Sequence, residues 1–270
     1  LTDLHGVAIN TTSMTAFASG GTQTATEIYE LATIWPHGKL SGLNFVQSAD
    51  TMYFVHSEYK IQTLTRTGHN AWAFSDFSVA GSPSPTLNSA NHFPSVVTFF
   101  EQRLVFANTA TNPQTLWFSK NGDYDNFAVG SATADDALIY TIASNTVNEI
   151  RWMSATRVLT IGTAGGEFVV TTSSEGPITP TTTLIRKYSN YGAATVAPVQ
   201  VADVTLFLQR NGRKVREFKY VGDVDEFGYQ APDMTILSEH ITDGGITEFA
   251  YQQEPDSIVW ALRSDGTLLS

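Results

Sequence analysis

The stretch Ser95-Val96-Val97-Thr98-Phe99-Phe100-Glu101-Gln102-Arg103-Leu104-Val105-Phe106-Ala107 reads as two short apolar strands joined by a polar turn. β-branched and aromatic residues in short runs favour strands, and polar residues suit a turn whose backbone meets water. The unit returns along the chain, with later strands at Met52-Tyr53-Phe54-Val55, Val158-Leu159-Thr160-Ile161, Val204-Thr205-Leu206-Phe207-Leu208 and Ile258-Val259-Trp260-Ala261-Leu262. These runs begin at residues 52, 104, 158, 204 and 258, so the unit recurs every 46 to 54 residues. That period fits a four-stranded antiparallel sheet and exceeds a single hairpin, which is the signature of β-propeller blades.

Working outward, each run has a strand-like stretch before it: Leu43 to Gln47, Asn148 to Met153, Ala197 to Val201 and Thr247 to Gln252, besides Ser95 to Phe100. A third strand follows at Ile61 to Leu64, Leu116 to Ser119, Phe168 to Thr171 and Val215 to Tyr220. The turn before it often carries Gly or Asn, as at Gly165-Gly166 and Asn211-Gly212, residues that readily take the left-handed conformation of tight hairpins. The expected fold is an all-β propeller of about five four-stranded antiparallel blades, either whole or part of a larger one. Blade cores are placed near 43–74, 95–128, 148–172, 197–220 and 247–270, and the segment 1–42 is expected to add strands to a blade. Two Pro-rich stretches, 80–94 and 176–183, read as long connections. The one helix signal is Pro232-Asp233 followed by Met234 to Ile241, with Gly244-Gly245 as a stop, and it predicts a short helix over 232–241.

Composition excludes several function classes. With 42% hydrophobic and 11% aromatic residues, 270 residues can bury a sizeable core as a single domain or domain fragment. Every apolar run is far shorter than the roughly 20 residues of a membrane-spanning helix. The start Leu1-Thr2-Asp3-Leu4-His5 lacks the basic-then-apolar pattern of a secretory signal. Zero cysteines remove disulfides, thiolate metal sites and a cysteine nucleophile together. Against 26 acidic residues stand 15 Lys and Arg, a net charge of −11, whereas nucleic-acid binders present a basic face. The one basic cluster, Arg210, Arg213, Lys214, Arg216 and Lys219, is expected on a hairpin as a solvated face, with contact to a phosphate or an acidic neighbour as the other reading.

Candidate chemistry is sparse, and no catalytic, cofactor-binding or metal residue is assigned. Arg263-Ser264-Asp265-Gly266-Thr267 and Asn121-Gly122-Asp123-Tyr124 partly match the Asp-containing turns of sialidase-type propellers, but a turn needs Asp and Gly for its own backbone. Asp135-Asp136 and Glu175 are acids without a spacing that selects a catalytic pair. Asp123 with Asp125 and Asn126, and Asp223 with Asp225 and Glu226, offer oxygen ligands but not a full calcium loop. His5, His37, His56, His69, His92 and His240 are scattered, without the helical spacing of a zinc site. Trp35, Trp72, Trp117, Trp152 and Trp260 lie at or beside strands, where large rings suit the space between blades.

Three groups of segments resemble a family of bacteriophage tail proteins. The first runs through Glu27 to Thr33, Phe45 to His56, Leu64 to Gly68 and Trp72; the second is Ser119 to Phe127, with a Ser, a Gly-Asp pair and an Asn-Phe pair; the third comprises Leu208 to Glu217, Ala231 to Thr235, Glu239 to Ile241 and Gln252 to Trp260. The resemblance implies a virion structural protein of the nozzle or hub type, without catalysis or cofactor. It also implies assembly in the bacterial cytoplasm as a ring around the DNA channel, with other tail proteins as partners. In that setting the present chain is expected to be a piece of a longer protein, and acidic loops facing the channel would repel DNA. The alternative reading is a propeller that binds glycans of a host surface, and a more distant one is a sialidase-like glycosidase.

Overall fold

Five antiparallel sheets follow one another along the chain and are arranged as the blades of a five-bladed β-propeller. The computed structural model describes residues 31–68, 71–143, 148–173, 176–222 and 227–270. The first blade holds β1 (Asn44–Ser48), β2 (Thr51–His56), β3 (Tyr59–Gly68) and β4 (Ala71–Asp76). The second holds β5 (Val96–Phe100), β6 (Arg103–Ala107), β7 (Thr115–Phe118) and β8 (Leu138–Thr141). In the third lie β9 (Ile150–Ala155), β10 (Leu159–Thr163), β11 (Gly166–Thr172) and β12 (Thr183–Ser189). The fourth contains β13 (Val199–Val201), β14 (Val204–Leu208), β15 (Val215–Gly222) and β16 (Phe227–Gln230). The fifth has three strands among the described residues, β17 (Ile246–Gln252), β18 (Ile258–Arg263) and β19 (Leu268–Leu269). Each strand pairs with the next in sequence, so every blade is a simple meander.

The apolar runs are continuous because both faces of a blade are covered. In β6, Leu104 and Phe106 point toward the first blade, where Tyr53, Val55, Ile61 and Phe77 meet Trp117 and Phe127. Their neighbours Val105 and Ala107 point the other way, toward Ile150, Met153, Ile161 and Phe168 of the third blade. Side chains of a strand alternate between faces, so a strand buried on both loses the apolar-polar alternation. The third and fourth blades meet through Trp152, Val169, Phe207 and Phe218, and the fourth and fifth through Leu208, Ile246, Phe249 and Ala261. Trp152 lies 5.4 Å from Phe207 and fills the space beside Gly162, where a Cβ would sit 2.1 Å from the indole. Trp35, Trp117 and Trp152 are buried as expected of inter-blade or sheet-packing rings, while Trp72 and Trp260 are half-buried.

Turns and connections tie one blade to the next. Glu101 and Gln102 both adopt positive φ, +46° and +60°, in the two-residue turn between β5 and β6, a position that ordinarily favours Asn-Gly. The Glu101 carboxylate reaches the third blade, accepting the Ile178 N–H at 2.6 Å. Arg103 is almost fully buried and donates to the carbonyls of Ser119, Ala134 and Asp136, each at 2.7 Å. It thereby fixes the long connection between β7 and β8, in which Lys120 also reaches Asp136 at 3.1 Å.

The structure corrects three boundaries. The outer strands β8, β12 and β16 begin at 138, 183 and 227, beyond the blade-core ends expected at 128, 172 and 220, and long connections precede β8 and β12. Residues 1–30 of the segment expected to supply strands lie outside the described residues, and His37–Gly42 forms a 3-10 helix. Beside it, Trp35 packs on Phe54 and Phe74 at 5.4 and 5.8 Å. The helix expected over 232–241 is instead a succession of turns. Asp233 accepts both the N–H and the hydroxyl of Thr235, at 2.9 and 2.8 Å, which holds the backbone in a local turn. Met234 N–H donates to Val215 O of β15, and the N–H groups of Ser238 and Ile241 donate to Thr235 O and Ser238 O, three residues back, so the segment closes as separate turns.

Candidate functional site

A cleft lined by polar and apolar groups alike lies between β12 and β16, the outer strands of the third and fourth blades. It is open to solvent, offers about 580 Å³, and has Tyr188, Asn190, Tyr191, Tyr229 and Pro232 among its walls. Tyr188 is the last residue but one of β12, and its ring lies 5.0 Å from that of Tyr229 at 71°. Tyr229 also stacks on Phe218 at 5.2 Å and 8°, which fixes its plane. Tyr191 follows β12 in an irregular segment and is 42% exposed, with the Arg216 guanidinium 3.4 Å from its ring centre on one side. Tyr191 also lines the cleft.

A buried polar layer braces these rings. Arg216 donates to Ala231 O at 2.6 Å and to Gln209 Oε1 at 2.8 Å, so its charge is held in place under Tyr191. Glu167 of β11 is fully buried and accepts from the Ser189 hydroxyl and the Tyr191 N–H, fastening the segment that forms one wall. Burial pushes its carboxyl above the ordinary range, against the opposing hydrogen bonds and the nearby charges of Arg216 and Lys187. Glu167 Oε1 has no hydrogen-bond partner among the described residues. Gly166 makes this close approach of β11 and β12 feasible, since a Cβ there would stand 2.4 Å from Ser189 O. Sequence reasoning missed the site because its tyrosines are spread over two outer strands whose positions the repeat did not specify.

A second feature stands on the fourth blade's connection to the fifth. Met234, Ile236, Leu237 and Ile241 are exposed, Leu237 by 93%. The turns carrying them are clamped by Lys214, which bonds Asp233 at 2.9 Å and Glu239 at 2.7 Å. Arg213 reaches Asp243 at 2.7 Å. The basic cluster is therefore largely an ion-paired clamp rather than a solvated face, with Arg216 buried and Lys219 bonded to Glu217 at 2.8 Å.

Other candidates separate in space. Asp265 accepts the Thr267 N–H at 3.0 Å while Gly266 takes φ +85°, so Asp and Gly there serve their own turn. In the other turn Gly122 has φ +70° and Asn126 donates to Asp123 at 3.1 Å. Asp125 is raised by burial first and by the Asp123 charge second. Asp136 is buried and held low by hydrogen bonds from Thr133 and Lys120, while its neighbour Asp135 is exposed. His56 accepts the Glu58 N–H at 3.1 Å and His92 pairs with Thr111 at 2.7 Å. His240 is exposed. No group of three or more His, Asp or Glu able to hold a metal occurs among the described residues. His5, His69, Glu175, Asp223, Asp225 and Glu226 lie outside them.

No protein family matches the chain, and no curated protein matches it. Among solved structures, the crystal structure of the computationally designed Ika8 protein is 9% identical with a TM-score of 0.48, and the match covers 83% of this chain and 56% of that one. A protein from Lactobacillus plantarum is 13% identical with a TM-score of 0.47, covering 83% of this chain and 68% of its own. The chain thus spans little more than half the designed protein.

Proposed function

We propose that this protein is a non-catalytic assembly module of a bacteriophage tail, in which a rigid propeller presents fixed contact surfaces to its neighbours. The observation that supports this best is the clamped apolar turn: Met234, Ile236, Leu237 and Ile241 stand in solvent on a backbone held by Lys214. An ordered, exposed apolar patch marks a protein contact surface more readily than a site of chemistry. The segments resembling tail proteins fit the same reading, because their residues hold connections together. In Ser119 to Phe127, Ser119 is bonded by Leu104 N–H at 3.0 Å and Phe127 is buried between the first two blades.

Light scattering and negative-stain electron microscopy of the full-length protein, alone and mixed with purified tail components, test the reading. Rings or defined complexes of fixed copy number are expected, and Leu237→Asp should disperse them while leaving the far-UV circular dichroism unchanged. A persistent monomer in every mixture would overturn the proposal.

A further inference from the structure

The geometry points to a binding site for a neutral saccharide in the tyrosine cleft between the third and fourth blades, a role separate from assembly. At about 580 Å³ the cleft lies within the range of small-ligand sites and has room for about one or two hexose rings. A sugar ring has one face of C–H bonds and an edge of hydroxyls. It therefore needs a flat π surface beside hydrogen-bonding groups, and here Tyr191 shares the cleft lining with Asn190, Tyr188 and Tyr229. An aromatic ring gives contact area at low conformational cost when it is already fixed. That fixing is present: Phe218 lies parallel to Tyr229 at 5.2 Å, and Arg216 backs Tyr191 at 3.4 Å.

Charge selects a neutral ligand over an acidic one. The guanidinium of Arg216 is spent on Tyr191, Gln209 and Ala231 O, and it is 8% exposed, so no salt bridge to a ligand carboxylate is offered from it. Lys187 beside Glu167 and Arg157 near Tyr229 are cations close to the walls, and the net charge of −11 opposes the approach of an anionic sugar. The role assigned to Glu167 and Arg216 is positioning: they set the rings and touch no ligand.

The experiment is ligand-observed saturation-transfer NMR followed by calorimetric titration of the full chain. Maltose, lactose, cellobiose and chitobiose serve as neutral probes, and 3′-sialyllactose as the charged one. Saturable binding of at least one neutral probe is expected, weakened about tenfold by Tyr191→Ala and retained by Tyr191→Phe, which keeps the ring. Tyr191 is exposed, so both variants should fold, and a thermal melt of each checks this. Absence of saturable binding for every neutral probe would overturn the inference, as would binding of the sialylated probe alone. Equal affinity in wild type and Tyr191→Ala would remove the site from the cleft. Because Leu237 does not line the cleft and Tyr191 is not part of the apolar turn, Tyr191→Ala should leave ring assembly intact, so the two proposals fail separately.

Discussion

The second and first blades are built to one meander plan, yet they differ in how their strands are buried. β6 and β7 are buried at every position, whereas β1 alternates among exposed and half-buried residues and leaves Phe45 58% exposed. The second blade has a neighbour packed on each face, the first through Phe106 and Trp117 and the third through Val105 and Phe118. In the first blade, the face carrying Phe45, Phe54 and Phe74 is met among the described residues by Trp35. The lesson is that blade position, rather than strand length or propensity, decides whether a run of apolar residues is core or surface.

The sharpest way to break this comparison is to truncate one ring in each blade. Phe106→Ala should cost about 3–5 kcal/mol, and Phe45→Ala less than about 1 kcal/mol, read from urea midpoints. Similar losses would refute the contrast. A somewhat smaller effect tests polar groups instead. Arg103→Met strips three carbonyls, two of them buried, of their donor and should cost about 3 kcal/mol. In the first blade, Lys60→Ala removes an exposed pair with Asp76 and should leave the midpoint unchanged. The smallest effect is on pH dependence. Glu167 has a raised folded pKa, so its contribution to stability is present in acid and is lost as pH rises from the ordinary glutamate value through the raised one. Asp136 is held low, so its contribution is lost as pH falls through the aspartate range. Glu167→Gln should flatten the first slope and Asp136→Asn the second, in midpoints measured from about pH 3 to 8.

Much of the fold was legible because the central strands are apolar on both faces, and a run such as Leu104 to Ala107 has few other places to go. The outer strands were less legible. β12 reads Thr-Leu-Ile-Arg-Lys-Tyr-Ser, with exposed Arg186 and Lys187 interrupting its apolar residues, so sequence alone gave no reason to prefer it over the preceding connection. The missed helix has a similar cause: Ile236, Leu237 and Ile241 carry a helical spacing, but Asp233 and Lys214 set the backbone, and a pairing across sequence is invisible to periodicity. The tyrosine cleft was not legible for the same reason, since Tyr188, Tyr191 and Tyr229 are brought together by the packing of β12 against β16.

The turn at Glu101 and Gln102 has a meaning for folding order. Two non-glycine residues at positive φ form a turn that is costly for the second hairpin alone, and the Ile178 N–H of the third blade helps hold it. A hairpin that is completed by the blade after it cannot mature as an independent repeat. Neighbouring blades then gain and lose structure together, so hydrogen exchange in β5 and β6 should follow the opening of the loop at Ile178, and unravelling of the wheel should proceed by coupled pairs rather than one sheet at a time.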